Sequence, residues 1–280
     1  MTAPFQKRFV ELAAGRSPLC VGIDPSAESL KGWGLVDDLL GLRAFCERLV
    51  EACAPLVAAI KPQSAFFERH GPAGMEVLRD TVAAAKSHGA LVIIDVKRGD
   101  ISTTAAAYAA AFLGPGSAFG GDAITASAYL GFGSLDPIFE VARREAAGVF
   151  VVVRSSNPEG TQLQQAKLSD GRTVAEHLSD AIAARNVADE PGGLGLIGAV
   201  LGATMGEEAG RLAERLPNAL LLLPGIGAQG ATIAGVRNQF GAHYARVIPT
   251  ISRGIARSGP AAADLRRAVE RHVAELRAAG

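Results

Sequence analysis

The chain has 280 residues, 49% of them hydrophobic, enough to bury the core of one α/β barrel. Its 28 Lys and Arg balance 28 Asp and Glu, so no overall field draws it to nucleic acid or to an anionic membrane, and both are set aside as partners. Thirty-three scattered glycines and only 5% aromatic residues fit many tight turns on an aliphatic scaffold, and exclude a collagen-like or disordered chain.

Near the N-terminus, Lys7, Arg8 and Glu11 interrupt the apolar stretch that a signal peptide needs, which predicts a helix of the mature protein. Eight short aliphatic runs follow, at 19–24, 57–61, 90–97, 123–127, 148–155, 196–203, 219–224 and 246–252. Each has strand length. Between them, 39–54, 74–87, 135–145, 173–184, 206–216 and 230–240 carry helical spacing. Eight βα units without a linker predict a closed (β/α)8 TIM barrel, a single domain over 1–280, rather than an open doubly wound sheet.

The stretch 101–121 is uncharged, but it is Ala-rich and broken by Gly114-Pro115-Gly116, so it does not read as a membrane span. The connection 157–195 holds Gln162, Gln164, Gln165, a helical pattern and a Pro191-Gly192-Gly193 turn. A long loop after a barrel strand reads as a lid insertion, with a surface insertion of no role as the alternative for its distal half. Three cysteines, Cys20, Cys46 and Cys53, lack C-x-x-C spacing and leave one unpaired under any disulfide scheme, which points to a reducing compartment and a cytoplasmic location. The five histidines are dispersed without H-E-x-x-H, so no metal site is predicted.

Chemistry enters at Ile93-Ile94-Asp95-Val96-Lys97-Arg98-Gly99-Asp100-Ile101, which ends the third run with charges where a strand is normally apolar. Side chains alternate across a strand, so Val92, Ile94 and Val96 face the outer helices while Ile93, Asp95 and Lys97 point into the barrel near its C-terminal mouth. That mouth is where barrel enzymes place their chemistry. An Asp95–Lys97 pair that only shapes the barrel is the bland alternative, and the cost of burying ions weighs against it. The second run adds Lys61 and the first adds Asp24, so three neighbouring strands deliver acids and bases to one rim. Carboxylates beside Lys97 favour its ammonium form, which suits a proton donor better than a Schiff-base nucleophile. Asp100 lies beyond the turn, where it serves either its own site or a neighbouring subunit's.

A second signal is Pro224-Gly225-Ile226-Gly227-Ala228-Gln229-Gly230, a G-x-G-x-x-G between a strand and a helix. No Asp or Glu occurs between Glu214 and Asp264, so the acid that a dinucleotide site needs is missing. Glycines that let backbone N–H groups converge, in the loops after the last two barrel strands, suit a single phosphate instead. Arg253, after the eighth run, offers the same anion a planar fork of donors. At the fifth strand end, Ser155-Ser156-Asn157-Pro158 presents groups that can hydrogen-bond a heterocycle or sugar, and equally reads as a plain turn.

Taken in order, Asp24, Lys61, the D-x-K-x-x-D of Asp95, Lys97 and Asp100, the P-G-x-G-x-Q-G from Pro224 and the R-G of Arg253 resemble orotidine 5′-phosphate decarboxylase. The resemblance spans nearly the whole barrel and is nearest the longer bacterial subgroup. It implies loss of CO₂ from orotidine 5′-monophosphate to give UMP in pyrimidine biosynthesis, without metal, flavin or pyridoxal cofactor. It further implies a homodimer in which Lys61, Asp95 and Lys97 meet Asp100 of the other subunit, with Lys97 as proton donor to C6. Asp24 would bind the ribose and Ser156 the pyrimidine. Gln229 and Arg253 would grip the phosphate beside Gly225 and Gly227, and Ile101 and Thr104 would cross the dimer interface. The competing expectations are an Mg²⁺-dependent phosphosugar barrel, which carries a glutamate where Lys61 stands, and a catalytically silent nucleotide-binding barrel.

Overall fold

Eight parallel strands close on themselves in chain order: β1 (Cys20–Ile23), β2 (Ala59–Pro62), β3 (Leu91–Arg98), β4 (Ala123–Ala126), β5 (Gly148–Arg154), β6 (Ile197–Leu201), β7 (Leu221–Pro224) and β8 (Val247–Ile251). The ring is sealed where Cys20 pairs with Thr250 and Val21 with Ile251. Each aliphatic run of the sequence overlaps one strand. The computed structural model describes residues 2–227 and 230–279.

Helices with identifiable start signals occupy the intervals. Asp38 accepts the Gly41 N–H ahead of Leu39–Cys53, and Thr232 accepts the Gly235 N–H ahead of Ile233–Phe240. Thr173 and Glu176 form a reciprocal capping box at Val174–Asp189. The Ala-rich stretch supplies the helix Ser102–Phe112, and Ala262–Ala279 completes the outer ring. Among the described residues no helix is long and apolar enough to cross a membrane.

The apolar side chains form two shells. One lies between strands and helices and includes Val92, Ile94 and Val96, and the other fills the barrel with Leu91, Ile93, Phe150, Leu222 and Ile248. The N-terminal helix Phe5–Gly15 belongs to the inner shell: Phe5 meets Phe150 edge-on at 5.7 Å, with Phe9 stacked behind it at 6.2 Å. Arg8 locks the helix down through Asp122 at 2.7 Å, and Asp122 also accepts the Val92 N–H at 3.0 Å. These contacts lie at the starts of β3, β4 and β5, so the helix stoppers the N-terminal end. Access is left to the C-terminal mouth.

The segment 157–195 divides in two. Asn186 clasps β6, donating to the Ile197 carbonyl at 2.8 Å and accepting the Ile197 N–H at 3.1 Å, so Val174–Asp189 is the barrel helix between β5 and β6. Only 157–173, with the short helix Gly160–Gln164 and a Lys167–Thr173 bridge, remains as an excursion beside the end of β5.

Candidate active site

The alternation along β3 places Asp95 inside the barrel directly above Ile93, and the chain then departs from regular pairing. Ile94 is level with Ile124 of β4, but Arg98 is level with Ala126, so Asp95, Val96 and Lys97 together face only Thr125. Lys97 takes a left-handed backbone, φ 45°. This turns its side chain back over the carboxylate of Asp95, which receives four donors. Lys97 Nζ and Thr125 Oγ1 donate to Oδ1 at 2.6 and 2.8 Å, while Lys61 Nζ and Gln63 Nε2 donate to Oδ2 at 2.7 and 3.1 Å.

Charge is conserved in this knot despite burial. Desolvation alone would push Asp95 toward its acid, but the ammonium groups of Lys61 and Lys97 and their hydrogen bonds hold the carboxyl well below its usual range. Desolvation would likewise strip the proton from Lys61, yet the charges of Asp95 and Asp24 and the bond to Asp95 keep it above its ordinary value. Beneath them Cys20 is fully enclosed, and burial pushes its thiol up to about 12. It is therefore an inert neighbour rather than a nucleophile.

Asp24, Lys61, Asp95 and Lys97 line one cleft of about 580 Å³, together with Gln63, Phe66, Thr125, Val200, Leu222 and Pro224. That is a size suited to a small molecule. The Lys97 side chain is about half exposed to the cleft, in contrast to Lys61, which is 7% exposed. Asp24 Oδ1 is buried with no hydrogen-bond partner among the described residues, an acceptor left for a polar ligand. No group of three or more His, Cys, Asp or Glu gathers with metal-ligand geometry among those residues.

The remaining sequence-predicted positions that the structure describes do not line this cleft. Asp100 accepts the Ile101 N–H at 2.8 Å instead of approaching Lys97, and Ile101 and Thr104 are exposed at the start of Ser102–Phe112. Ser156 sits against β6: a side chain on Gly202 would fall within 2.8 Å of its backbone nitrogen. Gly225 and Gly227 have φ of 112° and 80°, a turn that L side chains resist, and Gly227 donates to the Ala231 carbonyl at 2.8 Å. Gln229 lies outside the described residues. Arg253 is exposed and lines a separate cavity of about 220 Å³ with Glu28, Trp33 and Arg257. The strands that precede the two predicted phosphate motifs are nonetheless adjacent, Pro224 pairing with Thr250.

Three site residues escaped the sequence reading. Gln63 follows Lys61 at the two-residue spacing of inward positions, and Thr125 is the polar residue of Ala123–Ala126, so strand alternation held a signal for both. Arg154 is buried to 7% exposure, ion-paired to Glu208 at 3.2 Å and bonded to Thr161 and Gln164, which ties the excursion after β5 to the β6 side of the rim.

Known proteins carry the same frame. The model of the orotidine 5′-phosphate decarboxylase / HUMPS family matches residues 17–268. The orotidine 5′-phosphate decarboxylase of Myxococcus xanthus is 51% identical over 98% of this chain and 96% of its own. That of Streptomyces coelicolor is 49% identical over 99% and 98%. A crystal structure from Streptomyces avermitilis superposes with a TM-score of 0.93 at 49% identity, covering 99% of this chain and 96% of that one. This chain belongs to the orotidine 5′-phosphate decarboxylase / HUMPS family.

Proposed function

We infer that this chain decarboxylates orotidine 5′-monophosphate to UMP, the carboxy-lyase step of pyrimidine biosynthesis, and that Lys97 protonates C6. The observation that carries the reading is the Asp95 carboxylate held between two ammonium groups at 2.7 and 2.6 Å at the end of the barrel opposite the N-terminal helix. Heterolysis of the C6–carboxylate bond releases CO₂ and leaves its electron pair on C6. A lysine ammonium already in place stabilises that charge without reorganising, then transfers its proton to C6 and is reprotonated from solvent. Asp95 fixes Lys97 and places negative charge beside the departing carboxylate.

Asp24, with its unpartnered buried oxygen, is assigned to the ribose hydroxyls. Ser156 is assigned to the pyrimidine, and Gln229, Arg253 and the turn at Gly225 and Gly227 to the phosphate. The excursion 157–173, fastened through Arg154, acts as the lid. Binding energy collected at the phosphate, far from C6, then orients the base and is expressed in turnover.

A second copy of the chain completes the site with its Asp100. The exposed Ile101, Tyr129 and Leu130 favour such a homodimer, since the loops bearing them are joined by the Ser127 N–H to Arg98 carbonyl bond at 2.9 Å. The buried and free state of Cys20, Cys46 and Cys53 supports a cytoplasmic location. Within the family, Lys61 separates this reading from Mg²⁺-dependent phosphosugar chemistry, because a buried ammonium at the second strand end repels a cation. The test follows the absorbance of orotidine 5′-monophosphate with EDTA-treated protein. Turnover without added metal is expected; no turnover, or turnover only with Mg²⁺, overturns the assignment.

A further inference from the structure

We propose that Thr125 is a positioning residue for Lys97, its hydroxyl fixing the backbone from which the ammonium reaches out. The inference rests on the proton-donor reading of Lys97 and adds the device that aims it.

The device originates in the register slip between β3 and β4. Three residues, Asp95 to Lys97, stand opposite Thr125 alone, so the Lys97 N–H is carried out of the regular ladder. It donates to Thr125 Oγ1 at 2.9 Å. The same hydroxyl donates to Asp95 Oδ1 at 2.8 Å, the oxygen that Lys97 Nζ approaches at 2.6 Å. A carboxylate can only accept and an amide N–H can only donate, so both roles of the hydroxyl are dictated. Thr125 is 1% exposed, which leaves water little access to replace it.

One side chain thus closes a small ring through the backbone, the carboxylate and the ammonium of the catalytic pair. The ring encloses the strained residue. Lys97 lies at φ 45°, a conformation that non-glycine residues hold only when their surroundings impose it. Without the hydroxyl, the Lys97 N–H loses its acceptor, the reason for the left-handed turn weakens, and Nζ is released from its line over Asp95. Substrate binding has no part in the ring, so the deficit is expected in turnover and not in affinity.

The experiment compares T125V, which keeps the shape and loses the hydroxyl, with T125S, which keeps the hydroxyl; T125A substitutes for T125V should that variant not fold. In the metal-free orotidine 5′-monophosphate assay, the hydroxyl-less variant is expected to lose at least tenfold in kcat with KM within threefold of the parent. T125S is expected to recover kcat to within threefold. A kcat loss below tenfold, a loss carried by KM alone, or no rescue by serine overturns the proposal. Crystal structures of the same variants read the device independently of activity: Lys97 is expected to leave φ 45° in T125V or T125A and keep it in T125S. Lys97 unmoved without the hydroxyl overturns the proposal even if the parent proves inactive, whereas an inactive parent refutes only the underlying decarboxylase reading.

Discussion

Lys61 Nζ lies 2.7 Å from Asp95 Oδ2, with both side chains less than a tenth exposed, so this ion pair is taken out of water in the floor of the cleft. The two partners are not equivalent. Asp95 keeps Lys97 as a second cation if Lys61 is removed, whereas Lys61 without Asp95 has no other direct ion pair among the described residues.

Asp95→Asn is therefore expected to destabilise the fold by about 3–5 kcal/mol, the usual cost of stranding a buried charge, and Lys61→Met by less. In the double variant the two losses are expected to be strongly non-additive. Urea unfolding of the three variants measures this. Equal single losses that simply sum would show that the pair is uncoupled.

The same pair sets a pH window. The folded carboxyl of Asp95 is depressed, so its stabilisation is complete above the unfolded value of about 4 and is lost as pH falls from there through the folded value. Lys61 is raised, so its share is complete below about 10.5 and is lost as pH rises through the folded value. The stability difference between the parent and the Lys61→Met/Asp95→Asn double variant is expected to be constant from about pH 5 to 9 and to shrink below about pH 4. A difference that slopes across the neutral range contradicts the charge states assigned here.

Arg154 anchors Thr161 and Gln164 of the excursion and pairs with Glu208 across the rim. Arg154→Met frees that segment, proposed as the lid, from the rim. KM is expected to rise about tenfold, equivalent to about 1.4 kcal/mol, with a smaller change in kcat. Steady-state kinetics and limited proteolysis within 157–173 report the two consequences. Unchanged KM and unchanged cleavage would remove the lid from the account.

Asp100 accepts the Ile101 N–H in its own chain. If the partner copy's site receives it, mixing Lys97→Ala with Asp100→Ala subunits restores one intact site per hybrid dimer, about a quarter of parental activity at equal mixing. Failure of complementation, with subunit exchange shown by mass, would mean the site is not shared.

Much of this was legible in the chain itself. Eight aliphatic runs separated by helical spacing leave few alternatives to a closed barrel, and charges at strand ends are conspicuous because burial is costly, which is why Asp24, Lys61, Asp95 and Lys97 stood out. Alternation marks Thr125 only as an inward position, and threonine is an ordinary strand residue; its two bonds arise from a register slip that no local pattern encodes. Arg154 carries no local signal, since its role rests on burial among Glu208, Thr161 and Gln164, which are contacts of the fold. The helical half of 157–195 was legible as a pattern, but its place in the barrel wall depends on Asn186 reaching β6, a tertiary contact.

The central claim is that the Lys97 ammonium stabilises the carbanion and protonates C6. Single-turnover decarboxylation by Lys97→Ala, compared with the parent on metal-free protein and with UMP binding as the control for an intact cleft, tests it most directly. Loss of at least about a thousandfold, about 4 kcal/mol of transition-state stabilisation, with UMP still bound is the expected result. A variant that decarboxylates within about tenfold of the parent, a difference of only about 1.4 kcal/mol, would contradict the account.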